Sequence, residues 1–260
     1  MNVLDRFSLK GRIALVTGGA GPQFGSSISE ALVEAGATLV TASRCLQNNR
    51  VFAEQLTQRG FDAHGMQVDI TDLESIARLH DQVIEQFGRL DILVNSALVQ
   101  IAGSFETETP EDWLASARGD MVGLFAICKA FIPQMVQDRR GSIINISSIY
   151  GVVGNDPSLY EGTALLQPPH YNFVKAGMIN FTRYMANYYG KKGVRVNCVC
   201  PGGYFNNQPE SFVKNYCKRV PLGRMLGSED LKGTIVFLAS DSSEYVTGIN
   251  LLVDGGWTAL

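Results

Sequence analysis

An excess of either charge is missing from this chain: 22 Lys and Arg stand against 25 Asp and Glu in 260 residues, a net charge of −3. A balance so near neutrality leaves no basic footprint for nucleic acid. Histidine is scarcer still, and His64, His80 and His170 have no metal-ligand spacing with one another, so no metal is expected. The five cysteines (Cys45, Cys128, Cys198, Cys200, Cys217) are odd in number and scattered. Cys198 and Cys200 sit two apart in a strand-like run and so share a face. That is not the redox Cys-x-x-Cys spacing, and reduced thiols serving as small hydrophobes are expected. No uninterrupted apolar stretch of the roughly 18 residues needed to cross a bilayer is present. The opening MNVLDRFSLKGR lacks the apolar segment of a secretory signal. These absences predict a cytoplasmic protein with neither a membrane nor a nucleic-acid partner.

What is present is an alternation. Apolar, β-rich runs at 12–18, 38–43, 64–70, 90–97, 142–147, 194–199 and 249–253 are separated by stretches with helical spacing near 26–36, 48–60, 71–88, 111–137, 171–190 and 229–239. Gly36 marks a helix stop, and Thr71 with Glu74 reads as a capping box. Nearly continuous Val, Ile and Leu in the strand runs indicate strands buried on both faces. That means a parallel sheet with helices on either side. With 45% hydrophobic residues and no linker or repeat, the chain is expected to form a single α/β domain, a doubly wound parallel sheet of Rossmann type.

Two features carry chemistry. TGGAGPQFG (17–25) follows the first strand and opens the first helix, where glycines let a backbone approach a pyrophosphate lying on the helix N-terminus. Tyr171 and Lys175 lie four apart in YNFVK, hence on one helical face. An ammonium there favours phenolate, and the hydroxyl of Ser148, just after the strand run GSIINIS, can hold a substrate oxygen.

Together with VDITD (68–72), LDILVNSA (90–97), GSIINISSIYG (141–151), VRVNCVCPGG (194–203) and FLASDSSEYVTGINLLVDGGW (237–257), these segments resemble, in order and over nearly the whole chain, the short-chain dehydrogenase/reductase family. The resemblance implies a nicotinamide cofactor and hydride transfer between it and a carbonyl or alcohol. Tyr171 would be the general acid/base and Lys175 its partner, also holding the nicotinamide ribose. Ser148 would bind the substrate oxygen, and Ser147 would be structural. Gly18, Gly19, Gly21 and Gly25 would form the phosphate loop. Asp69 and Ile70 would meet the adenine, Asn95 and Ala97 the adenosine ribose, and Pro201 and Gly202 the nicotinamide. Residues 204–225 would be a substrate lid, and the assembly a homotetramer or homodimer. Enoyl reduction fits less well, since those relatives space Tyr and Lys more widely.

The second strand run ends in Ser43-Arg44, where NAD-preferring relatives place Asp. A guanidinium there suits a ribose 2′-phosphate, so NADP(H) is expected ahead of NAD. Four departures from the family pattern stand out. The glycine loop is one residue longer, with Gln23 in place of its middle glycine. The Asn-Asn-Ala-Gly turn reads Asn95-Ser96-Ala97-Leu98, so this turn is expected to differ locally. Asp120 replaces the Asn that anchors a relay water; it is expected to accept from that water or to bind Lys175 directly. Finally, the gap from Ser148 to Tyr171 is enlarged by residues within 152–170, which either shape the site or serve as a surface or subunit contact.

Asn206 and Asn207, beside Gln208 in the lid segment, favour a polyhydroxylated substrate. The NNQPE and GRM segments also resemble branches associated with gluconate 5-dehydrogenase and surface-sugar modification. A sugar, sugar acid or polyol is therefore expected, with a ketoacyl or other non-sugar carbonyl, or a nucleotide sensor without turnover, as alternatives.

Overall fold

The computed structural model describes residues 2–259. Seven strands, β1 (Ile13–Thr17), β2 (Thr38–Ser43), β3 (Ala63–Gln67), β4 (Ile92–Asn95), β5 (Gly141–Ile146), β6 (Val194–Pro201) and β7 (Asn250–Val253), form one sheet. Its order is β3-β2-β1-β4-β5-β6-β7, and every pairing is parallel. The doubly wound, single-domain architecture predicted from the sequence is the one observed. Alternate residues of each strand enter opposite layers, as pleating requires. Leu15, Leu93, Ile143 and Val196 pack with Leu79, Val83 and Phe131 on one face. Ala14, Val16, Val94 and Ile144 pack with Ile28, Leu32, Ile235 and Leu238 on the other. Chain order reverses direction between β1 and β4, so a crevice opens at their carboxyl ends, where ligands bind in such sheets.

The helices are α1 (Phe24–Glu34), α2 (Leu46–Gln58), α3 (Leu73–Phe87), α4 (Pro110–Ser116), α5 (Leu124–Gln137), α6 (Pro169–Tyr189), α7 (Glu210–Arg219) and α8 (Lys232–Ala239). The expected cap of α3 is corrected. Asp72, not Thr71, is its N-cap and accepts from Glu74 N, because Thr71 already gives both its N–H and its hydroxyl to Asp69 Oδ1. The expected helix at 111–137 is continuous over Pro110–Gln137 but widens into a π-helical stretch at Ala117–Gly123. By length and composition that helix could cross a membrane, yet half of its apolar window is buried against the sheet, as a core helix requires. Cys198 and Cys200 are fully buried on one face of β6 beside Ile179.

A buried polar chain fastens α6 to the sheet. Asn95 Nδ2 donates to Asn145 Oδ1 at 2.8 Å, Asn145 Nδ2 to Thr182 Oγ1 at 2.9 Å, and Thr182 Oγ1 to the Met178 carbonyl at 2.8 Å. Thr182→Val keeps the shape but strips Asn145 Nδ2 of its acceptor. Urea unfolding should show a loss of about 1–3 kcal/mol for Thr182→Val and little change for Thr182→Ser.

Candidate active site

The crevice is built from close backbone approaches. Gly18 ends β1 with φ +70°, and a Cβ there would sit 3.1 Å from Ala97 Cα, so the loops after β1 and β4 nearly touch. Thr17 Oγ1 accepts from the N–H groups of Ser96 (3.1 Å) and Ala97 (3.2 Å), fixing that second loop. A Cβ on Gly25 would lie 2.0 Å from the Gly18 carbonyl oxygen, which no side chain survives. Gly21 N donates to the same carbonyl at 3.0 Å, and Gly19 packs where a Cβ would strike the Ser29 and Thr41 hydroxyls. Leu98 stays out of the left-handed region, so the turn after Asn95 runs without the backbone its relatives' glycine permits.

The cradle at Gly18 and Gly25 fits a dinucleotide's pyrophosphate at the start of α1. At the far end Ser43 Oγ is tied to Asn49 Oδ1 at 3.1 Å, and no carboxylate ends β2. Arg44 is exposed and pairs with no acidic residue among those described. Burial pushes the Asp69 carboxyl up, but hydrogen bonds from Thr71 and the Arg44 and Arg118 charges hold it below its ordinary value. Ile70 turns against the π-helical stretch, its carbonyl oxygen 2.1 Å from where a Gly123 Cβ would stand. The Asn95 side chain points into the sheet layer rather than the crevice, and its Oδ1 has no partner.

Ser148 and Tyr171 line one cavity of ≈ 370 Å³, with Pro201 unseen from solvent below it and Gly202 on its wall. Ser148 Oγ accepts from Tyr150 N at 3.1 Å, while Ser147 Oγ donates to the Lys175 carbonyl at 2.8 Å. Both serines border the cavity, and Ser147 also pins α6 through the Lys175 carbonyl. Lys175 is buried, donates to the Ile146 carbonyl at 2.8 Å, and holds its Nζ 5.5 Å from the centre of the Tyr171 ring.

The segment 152–170 supplies much of the remaining wall. Tyr160, Leu165, Gln167 and His170 line the cavity, and Tyr160 OH lies 3.1 Å from Tyr150 OH. Phe212 and Tyr216 of α7 also line the cavity, packed against Tyr160 and Leu165. An ion pair between Asp156 and Arg219, with Asn215 Nδ2 on the Ser158 carbonyl, joins the segment to α7. Among the described residues no Lys or Arg lines the cavity. Asn206 and Asn207 do not line it either: both are exposed, and Asn206 N donates to Gln208 Oε1. Sequence reasoning missed Tyr150, Tyr160, His170 and Glu108, which meet only through tertiary folding.

Asp120 lies in the π-helical stretch and is buried. Its Oδ1 accepts from Val99 N at 2.9 Å and its Oδ2 from Ser116 Oγ at 3.0 Å. It forms no ion pair with Lys175, so the expected direct bond is absent; its charge reaches Lys175 only through space. Burial pushes its carboxyl up from 3.8, against the Val99 N–H and the Lys175 charge. The folded state therefore binds the proton more tightly than the unfolded chain, and stability from this residue falls as pH rises above about 4. Asp120→Asn keeps both contacts and removes the charge. Its stability gain over the wild type should be small at pH 4 and larger at pH 8, read by urea unfolding at each pH.

A family model described as Enoyl-(Acyl carrier protein) reductase matches residues 19–258. The chain is 30% identical to the 3-oxoacyl-(acyl-carrier-protein) reductase FabG of Thermotoga maritima, over 95% of this chain and 98% of that one. It is 34% identical to the trans-4-hydroxycyclohexanecarboxylate dehydrogenase of Sinomonas cyclohexanicum, over 99% and 96%. Among solved structures, a gluconate 5-dehydrogenase from Burkholderia cenocepacia in complex with NADP and tartrate superposes with a TM-score of 0.90 at 29% identity, over the full length of both. A short-chain dehydrogenase from Leptospira borgpetersenii with bound NAD+ gives 0.84 at 35%, over 99% and 96%. The fold, the matched length and these identities place the chain in the short-chain dehydrogenase/reductase family of NAD(P)-dependent oxidoreductases.

Proposed function

We propose that this protein interconverts a secondary alcohol and its ketone with NADP(H), acting on a neutral, hydroxylated substrate of the ring or polyol type. The observation that carries the reading is the single cavity onto which Ser148 and Tyr171 both open, with the buried Lys175 ammonium behind the phenol. In the oxidative direction Tyr171 takes the hydroxyl proton while Ser148 Oγ holds the same oxygen, so the carbinol carbon is left able to release hydride. A nicotinamide bound in the crevice supplies the hydride acceptor. Lys175, anchored on the Ile146 carbonyl, keeps its Nζ in place behind the phenol.

The substrate class follows from the walls. Aromatic and aliphatic side chains with a few hydroxyl and amide groups, and no cation, suit an uncharged molecule better than a sugar acid. Among the relatives, names built on ring alcohols recur, including a cyclohexadiene-diol dehydrogenase of Sphingobium indicum. NADP(H) is favoured by the exposed Arg44 and by the missing carboxylate at the end of β2. A homo-oligomer, tetramer or dimer, is supported by the exposed Leu114, Met121, Phe125, Phe173 and Tyr184 along α4, α5 and α6.

Tyr171→Phe should lower the rate of NADP+-dependent alcohol oxidation by about 10²- to 10⁴-fold while leaving NADPH binding intact. NADPH binding without turnover of any alcohol or ketone by the wild type would instead favour a nucleotide sensor. Arg44→Asp should raise the KM for NADP+ by about tenfold or more and improve the use of NAD+. An unchanged cofactor ratio in that variant rules out Arg44 as the reader of the 2′-phosphate.

A further inference from the structure

His170 and Glu108 form a buried pair that the alcohol–ketone chemistry leaves unused. The His170 Nδ1 lies 2.8 Å from Glu108 Oε1, and both side chains are 2% exposed. Glu108 comes from the loop before α4, 62 residues away in sequence, whereas His170 sits in the first turn of α6 directly before Tyr171. His170 lines the cavity that holds Ser148 and Tyr171. A carboxylate on Nδ1–H fixes the ring's orientation and leaves Nε2 as its free polar atom. Among the described residues nothing hydrogen-bonds Nε2, and Glu108 Oε2 is buried without a partner. A buried carboxylate with one oxygen unpaired is a poor way to tie a loop to a helix, since an apolar pair does so at less cost.

We propose that His170, oriented by Glu108, is a second polar anchor of the substrate cavity. Its Nε2 bonds a hydroxyl other than the reacting one, so the preferred substrate is a neutral diol or its hydroxyketone. A hydroxyl both donates and accepts, so it satisfies Nε2 in either protonation state of the ring. A substrate carboxylate would set two acids on one imidazole, and a hydrocarbon would leave Nε2 unpaired. Ser148 and Tyr171 take the reacting oxygen, and His170 selects for the second one. This inference rests on the alcohol–ketone reading above.

The test compares NADPH formation from cyclohexane-1,2-, 1,3- and 1,4-diol with that from cyclohexanol. The wild type should favour at least one diol by about tenfold or more in kcat/KM, as sites built to bond a hydroxyl do. His170→Phe should erase that preference, mainly by raising KM for the diol, so that the diol loses about tenfold more than cyclohexanol does. Glu108→Gln should fall between, and His170→Gln, which keeps a hydrogen-bonding group, should retain part of the preference. A wild-type ratio near one for every diol overturns the inference while leaving the alcohol–ketone reading intact. An equal fall for diol and cyclohexanol in His170→Phe also overturns it, since a merely structural role predicts that pattern. No turnover of any of these alcohols or their ketones by the wild type sinks the alcohol–ketone reading, and the inference with it. The wild-type ratio decides even where a variant fails to fold.

Discussion

One buried cation organises this molecule. Lys175 keeps an ammonium out of water at the carboxyl end of β5, where only the Ile146 carbonyl meets it directly. A charge so placed is tolerated when its surroundings are rigid and polar in the right direction. The neighbouring contacts supply that rigidity. Ser147 Oγ grips the Lys175 carbonyl, Gly151 is so close to the same peptide that a Cβ would come within 2.8 Å, and the Asn145–Thr182 bond holds the next turn of α6. The position of the Tyr171 ring relative to β5 is a consequence of those ties, not of the tyrosine itself.

The sheet was legible in the sequence because its strands are buried on both faces and read as unbroken apolar runs. Helix positions were legible too, to within a few residues at their ends, which is the scale at which caps decide. The α3 cap shows why ends are harder: Thr71 matched the pattern, but a tertiary bond to Asp69 had already claimed it. The spacing of Tyr171 and Lys175 encodes their shared face, since that relation is local. The pairing of His170 with Glu108 and of Tyr150 with Tyr160 is invisible in any window, because nothing periodic links those positions. Asn206 and Asn207 were read as substrate contacts from their chemistry alone, and the backbone carries them to the surface.

The π-helical stretch at Ala117–Gly123 shows what the middle helix does besides filling the core. Its widened turn lets Gly119 and Gly123 admit Ile70 and the loop from β4, and it brings Asp120 inward to the Val99 amide. A regular helix would carry that carboxylate elsewhere on its surface. The backbone around Ile70 and the carboxylate of Asp120 therefore share one local irregularity.

The segment 152–170 joins the turn after β5 to the first turn of α6, yet belongs to neither layer of the core. Lengthening such a loop costs only logarithmically in closure entropy, so its size can change without unsettling the sheet. Its ion pair to α7 means that a change there also bears on Phe212 and Tyr216 in the cavity wall. Divergence between this enzyme and its relatives is therefore cheapest at the point where it most alters which molecules fit, and dearest in the scaffold that performs the chemistry.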